Sequence, residues 1–314
     1  MTGGLVTLGE AMALTAAAEI GGWAHHRDLK LSVAGAELNV AVGVRRLGAP
    51  ATWVSRVGDD GFGELILREL RAEGVTAVAA VDDTRRTGLM VKERPTSQRT
   101  HVRYYRAGSA ASAMTAFDVP VEAIAQASVL HVTGITPALG PGPASAVQLA
   151  VDTARRHGTT VSLDVNYRSA LWSRADAGAA LEPLVRQADV VFAGPEEASL
   201  VVPDGDPEQL ARALSDLGPK QVVIKMGGDG AVSLVDGVVR ATPAVPVTVV
   251  DTVGAGDAFV AGYLAELMDG ADAERRLETA AVAGALACTV LGDWEGLPTR
   301  ADLASLGATE SVQR

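Results

Sequence analysis

Cysteine is all but missing from this chain. Cys288 stands alone in 314 residues, so no internal disulfide can form and a packed core has to supply the stability. It lies in an alanine-rich helical stretch, where a small buried residue is the expectation. Long apolar runs are missing too. None reaches the roughly 18 residues that a membrane-spanning helix needs, although apolar residues make up 48% of the chain and allow a sizeable core. The N-terminus has no basic region followed by an apolar stretch and a small-residue cleavage site, so it does not read as a secretion signal. Together these absences point to the cytoplasm.

Positive charge is also short. Lys and Arg together number 27 against 38 Asp and Glu, for a net charge of −11. That balance argues against nucleic acid or a membrane surface as a partner, and any anionic substrate must be held by local basic groups. The five histidines show no H-x-x-x-H spacing, and no G-x-S-x-G elbow occurs. Zinc enzymes and serine hydrolases therefore lack support. Neither a Gly-Lys pair nor a G-x-G-x-x-G run is present, which excludes a Walker A loop and a dinucleotide fingerprint.

What the sequence has in quantity is alternation. Strand-like runs at Leu5 to Leu8, Thr52 to Val57, Val129 to Val132, Thr160 to Leu163, Val190 to Phe192 and Val222 to Ile224 are separated by helical patterns. Those patterns include Glu37 to Leu47, Glu64 to Glu73, Ala144 to Arg156 and Pro207 to Leu217. Such β/α alternation predicts an α/β fold, a largely parallel sheet with helices on both faces. No repeat or linker divides residues 1–314, so one domain is expected. Residues 12–33 lack a helical period, and 86–106 alternate as strands around the turn Pro95-Thr96-Ser97. Antiparallel strands inserted there would form a small sheet over a site and exclude water from it. Ordinary hairpin decoration is the other reading.

The most informative segment is Asp251-Thr252-Val253-Gly254-Ala255-Gly256-Asp257-Ala258-Phe259. Val247 to Val250 before it reads as a buried strand, and apolar residues at Phe259, Val260, Tyr263, Leu264 and Leu267 mark a helical face after it. Its two glycines stand at a strand-to-helix turn, where free amides and the positive end of the helix dipole bind anions. A carboxylate there would repel a phosphate, so Asp257 makes sense as a general base acting on an alcohol that attacks phosphorus. The alternative is a glycine turn with Asp257 as a simple cap. Elsewhere, Tyr104-Tyr105-Arg106 suits a sugar acid, the rings covering the carbon chain and the guanidinium forking a carboxylate, or else it is a solvated edge strand. Lys225-Met226-Gly227-Gly228-Asp229-Gly230 ends a strand in a tight turn that a phosphate or ribose can approach closely, or it is a plain hairpin.

The nine-residue run resembles the signature of the ribokinase-like (PfkB) carbohydrate kinases. Tyr104-Tyr105-Arg106-x-Gly108-Ser109, Gly134 to Leu139, Asp164 to Trp172 and Gly292-Asp293-x-Glu295-Gly296 resemble the 2-keto-3-deoxygluconate kinase branch. The likeness runs essentially end to end. It implies a ribokinase-like three-layer α/β/α core with a β lid from about 10–34 and 86–107, and homo-oligomers paired through that lid. ATP and Mg2+ would be the cofactors, and the resemblance raises a monovalent cation as a third. Gly254, Ala255 and Gly256 would form an anion hole and Asp257 would be the catalytic base. Gly35, Asn39, Met90, Tyr104, Arg106, Ile135, Arg168, Asp257 and Asp293 would bind the sugar acid. Asn39 without that resemblance reads as a helix surface residue. Asn166, Arg168, Gly194, Lys225, Gly227, Gly228, Gly230, Ala281 and the Gly254–Gly256 turn would bind the nucleotide.

Three positions depart from the pattern. Ala34 replaces a glycine, Met90 replaces a tyrosine directed at the substrate, and Gly194 replaces the asparagine of an Asn-x-x-Glu element. Glu197 is what remains of that element and is the magnesium candidate. The other reading is that it simply opens a helix from Glu196 to Val201 with favourable charge. The expected activity is transfer of the ATP γ-phosphate to a hydroxyl of 2-keto-3-deoxygluconate or a close analogue. A kinase for a neutral sugar of the fructose or ribose type, and a sugar-acid sensor without catalysis, are the alternatives.

Overall fold

Consecutive apolar residues, not alternating ones, build the main sheet, because helices cover both of its faces. Val190 and Phe192 point into one helical layer while Val191 and Ala193 point into the other. The computed structural model describes residues 3–96 and 99–305. Its strands are β1 (Leu5–Leu8), β2 (Met12–Ala17), β3 (Leu29–Ala34), β4 (Ala51–Gly58), β5 (Thr76–Asp82), β6 (Gly88–Thr96) and β7 (Arg99–Tyr105). They continue with β8 (Val129–Thr133), β9 (Thr160–Asp164), β10 (Val190–Ala193), β11 (Gln221–Lys225), β12 (Ala231–Val235) and β13 (Val238–Thr242).

Nine strands form the main sheet in the order β13-β12-β11-β10-β9-β8-β1-β4-β5. Every pair from β11 to β5 is parallel, and β12 and β13 close one edge as an antiparallel meander. Helices Ala36–Arg46, Gly61–Ala72, Ala255–Met268 and Ala273–Ala287 pack on one face. Helices Val121–Gln126, Pro141–His157, Arg174–Gln187 and Pro207–Ser215 cover the other. The Ala255–Met268 helix is apolar nearly all round and lies in the core, with the Tyr263 ring edge-on to Phe192 at 5.2 Å. No helix among the described residues is long and apolar enough to cross a membrane.

The small second sheet runs β3-β2-β6-β7. Its two hairpins are antiparallel, as the alternation predicts, but the central pair β2–β6 is parallel. The reason is topological: each excursion leaves the end of a parallel core strand, β2 following β1 and β6 following β5, so both set out in the same direction. Of the expected turn residues, Pro95 and Thr96 belong to β6, Thr96 pairing with Arg99, and Ser97 lies outside the described residues.

Two local expectations fail. Val247 to Val250 is not a buried strand. It is irregular chain with no sheet partner among the described residues, and Val249 is 58% and Val250 45% exposed. Pro243 and Pro246 remove two ladder donors just past the edge strand β13, and the Val250 and Asp251 amides donate instead to the Cys288 carbonyl. The helix expected from Glu196 to Val201 is a single turn, Pro195–Ala198.

Candidate active site

The parallel strands end on one side of the sheet, and the chemistry-bearing residues collect there. Glu10 follows β1, Ile135 follows β8, Asp164 and Arg168 come from the end of β9, and Lys225 ends β11. The Ala255–Met268 helix points its N-terminus into the same region, where no side chain caps it. Gly254 begins the turn in the left-handed conformation, φ +78°, and a Cβ there would stand 1.8 Å from the Asp293 carbonyl oxygen. Only glycine fits. A Cβ on Gly256 would meet nothing nearer than the Lys225 ammonium at 3.8 Å, so the space over that residue is free for a ligand.

Two clefts meet at this turn. One, beneath the lid, is lined by Gly35, Met90, Tyr104, Arg106, Ile135, Arg168, Gly254, Asp257 and Asp293. The other is lined by Lys225, Gly227, Gly228, Gly230, Ala255, Gly256 and Ala281. Of the residues expected around a sugar acid, only Asn39 does not line the first cleft. It is also no surface residue: it is fully buried below, and its Nδ2 donates to Asp257 Oδ2 at 2.8 Å. Of those expected around a nucleotide, Arg168 and Gly254 face the lid cleft, and Asn166 and Gly194 line neither. The second cleft has walls that the sequence does not announce. The Val247 to Val250 segment contributes Val247 and Val249, and Gly284, Ala285 and Cys288 come from the Ala273–Ala287 helix and its end. Cys288 is thus half-buried at a cleft wall and not a core residue.

Charge decides what each group can do. Burial pushes the Asp257 carboxyl up to about 8, helped by repulsion from Asp293, while the Asn39 amide pulls it down. Burial raises Asp293 to about 6, against the Asn39 amide and the Lys92 ammonium. Lys225 Nζ pairs with Asp164 Oδ2 at 2.6 Å, leaving Asp164 Oδ1 buried without a partner among the described residues. Arg106 Nε donates to Glu10 Oε2 at 2.6 Å, Ser109 donates to the other Glu10 oxygen, and the Tyr104 ring lies against the guanidinium. Glu10, 2% exposed, is therefore the counter-ion of a residue expected to be free for substrate. The Arg168 guanidinium is exposed and has no ion pair among the described residues. Glu197 spends both oxygens on backbone, accepting from Tyr167 N–H at 2.9 Å and Gly194 N–H at 2.7 Å.

A general-base role for Asp257, the role its sequence context suggests, requires the carboxylate form, and it predicts kcat/KM rising with pH through about 8 and levelling off above. Asp293→Asn removes a repulsive charge, so this rise should move to lower pH. The Asp293 charge opposes ionisation of Asp257, so the state of one carboxyl bears on the other. A pH profile that Asp293→Asn leaves in place contradicts the coupling.

Comparison with known proteins gives the family of the chain. The model of the pfkB family carbohydrate kinases matches residues 3–300. The chain belongs to that family. It is 37% identical to the 2-dehydro-3-deoxygluconokinase of Bacillus subtilis (strain 168), over 98% of this chain and 97% of the relative. It is also 37% identical to the 2-dehydro-3-deoxygalactonokinase of Haloferax volcanii, over 93% of each. Its fold is similar to that of an E. coli protein described as ribokinase II in complex with ATP and Mg2+. That match has a TM-score of 0.89 and 26% identity, and covers 96% of this chain and 98% of the other. The three-layer core and lid are thus the ribokinase-like fold.

Proposed function

We propose that this kinase transfers the γ-phosphoryl group of ATP to a hydroxyl of a 2-keto-3-deoxy sugar acid, 2-keto-3-deoxygluconate or a close analogue. One observation carries the reading: the glycine turn divides the two clefts, Gly254 and Asp257 facing the lid side and Ala255 and Gly256 facing the other. An acceptor hydroxyl at Asp257 and a γ-phosphate over Gly256 would meet across that turn. Asp257 takes the acceptor proton, and a base with a pKa near the working pH does this best. The first-turn amides and the Lys225 ammonium stabilise charge on the transferred group. Arg168 and Arg106, both on the lining of the lid cleft, receive the acceptor carboxylate.

The acidic groups near the nucleotide cleft fit Mg2+ as a hydrated ion carried on phosphates. Among the described residues no cluster of three or more His, Cys, Asp or Glu forms a dedicated cage, but the unpartnered Asp164 Oδ1 is a ready acceptor for a metal-bound water. Glu197 would hold the surrounding backbone. Bound Mg2+ would neutralise charge on the phosphates. A monovalent cation belongs to the same reading, as do a single working domain over 1–314 and a cytoplasmic location. Self-pairing through the outer lid face does too, where Leu29, Leu31 and Tyr105 are 50%, 55% and 63% exposed.

A neutral-sugar kinase is the second reading, favoured by the Glu10 pairing that offsets the charge of Arg106. Steady-state ADP release with a panel of 2-keto-3-deoxy acids, fructose and ribose decides between them. The expected result is a higher kcat/KM for the acids, by about 10-fold or more for one charge-assisted contact of 1.5–3 kcal/mol. Preference for neutral sugars overturns the substrate assignment.

A further inference from the structure

Lys92 is buried in a way that neither the acceptor nor the nucleotide cleft requires. On β6 the residues Gly88, Met90 and Lys92 face inward, and Lys92 is 2% exposed. Its ammonium pairs with the Asp251 carboxylate, 159 positions away. The same carboxylate accepts the Val253 N–H through Oδ1 and the Gly292 N–H through Oδ2, each at 3.3 Å. Asp251 therefore ties together two segments that meet at Gly254, where an added Cβ would overlap the Asp293 carbonyl. A second lid residue reaches the same place, with Ser32 Oγ donating to Glu295 Oε1 at 2.5 Å. Glu295 in turn accepts the Asp293 and Trp294 amides at 2.9 and 3.1 Å.

A buried ion pair is a poor device for stability alone, since desolvating two charges offsets much of their attraction. Here one partner arrives on the lid and the other shapes the anion hole. We propose that Lys92 is a positioning residue for phosphoryl transfer. Seated with the lid, its ammonium fixes Asp251, and through it the Val253–Gly254 turn and the Gly292–Asp293 segment. The hole then takes its working form only when the lid is down. Misplacement of reacting groups by about 1 Å costs on the order of 10²-fold in rate. The effect should therefore fall on kcat and not on acceptor affinity, because Lys92 lines neither cleft.

The test uses Lys92→Met, with Lys92→Gln as a second variant that keeps a donor without the charge, and Lys92→Ala for chemical rescue. The kinetic arm rests on the kinase reading, so amide hydrogen exchange of the substrate-free protein supplies an arm that needs no turnover. Expected are a kcat lowered about 10–100-fold with acceptor KM within about 3-fold, and recovery of Lys92→Ala by added methylammonium that leaves the wild type unchanged. Exchange should quicken at 252–256 and 291–293 while the Pro141–His157 helix keeps its protection. Wild-type kcat in Lys92→Met and Lys92→Gln, or exchange that quickens throughout the chain, overturns the proposal. If the wild type phosphorylates no acceptor, the kinase reading fails, and the local exchange still decides whether Lys92 holds the turn.

Discussion

Asp257→Asn should lower kcat by about 10²–10⁴-fold at saturating ATP and acceptor, the usual cost of removing a general base. Asparagine keeps the size of the side chain and can still bond with the Asn39 amide, so the turn should keep its shape. The Asp257 carboxylate is buried beside Asp293 and Asp164, whose charges hold its proton on. Removing it should leave acceptor KM little changed and ATP binding unchanged or tighter, because a carboxylate beside a γ-phosphate is repulsive. Near-normal kcat in this variant would mean that the turn works by positioning phosphate alone.

The Arg106 variant should fail in a different way. On the proposed reading, Arg106→Ala removes a contact to the acceptor carboxylate worth roughly 1.5–3 kcal/mol, or about one to two orders of magnitude in binding. It also strands Glu10, which is 2% exposed, and breaking a buried pair costs about 3–5 kcal/mol less whatever the carboxyl recovers by protonating. Burial already raises the Glu10 pKa, against the pull of Arg106. Without Arg106 the folded-state pKa rises further, and a carboxyl raised above its unfolded value loses stability as pH climbs between the two. Thermal unfolding of Arg106→Ala should therefore show a deficit that grows with pH above about 4.5. Adding Glu10→Gln should remove most of that deficit and leave acceptor binding weak. Unchanged acceptor binding in both variants would assign the carboxylate to Arg168 alone.

These two variants mark where the sequence is readable and where it is not. The parallel strands are legible because burial on both faces leaves apolar runs such as Val190–Ala193, and the glycine turn is legible because its constraint is local. Val247 to Val250 has the same apolar character, yet it walls a cleft, and sequence alone does not distinguish a ligand from a core as the thing it faces. The ion pairs lie further out of reach. Glu10 meets Arg106 across 96 positions and Lys92 meets Asp251 across 159. Lys92 also sits in the charged run Lys92-Glu93-Arg94, which gives no sign of which side is buried. A signal for Glu10 did exist: an acidic residue just past the apolar strand Leu5–Leu8 sits where α/β folds place ligand groups.

Phosphorus NMR of the wild-type protein with ATP, Mg2+ and 2-keto-3-deoxygluconate tests the central claim most directly. One new phosphomonoester resonance per ADP formed is the predicted result, with inorganic phosphate no faster than in the absence of acceptor. Consumption of ATP to inorganic phosphate alone, or binding of the keto acid with no ATP consumed, would contradict it.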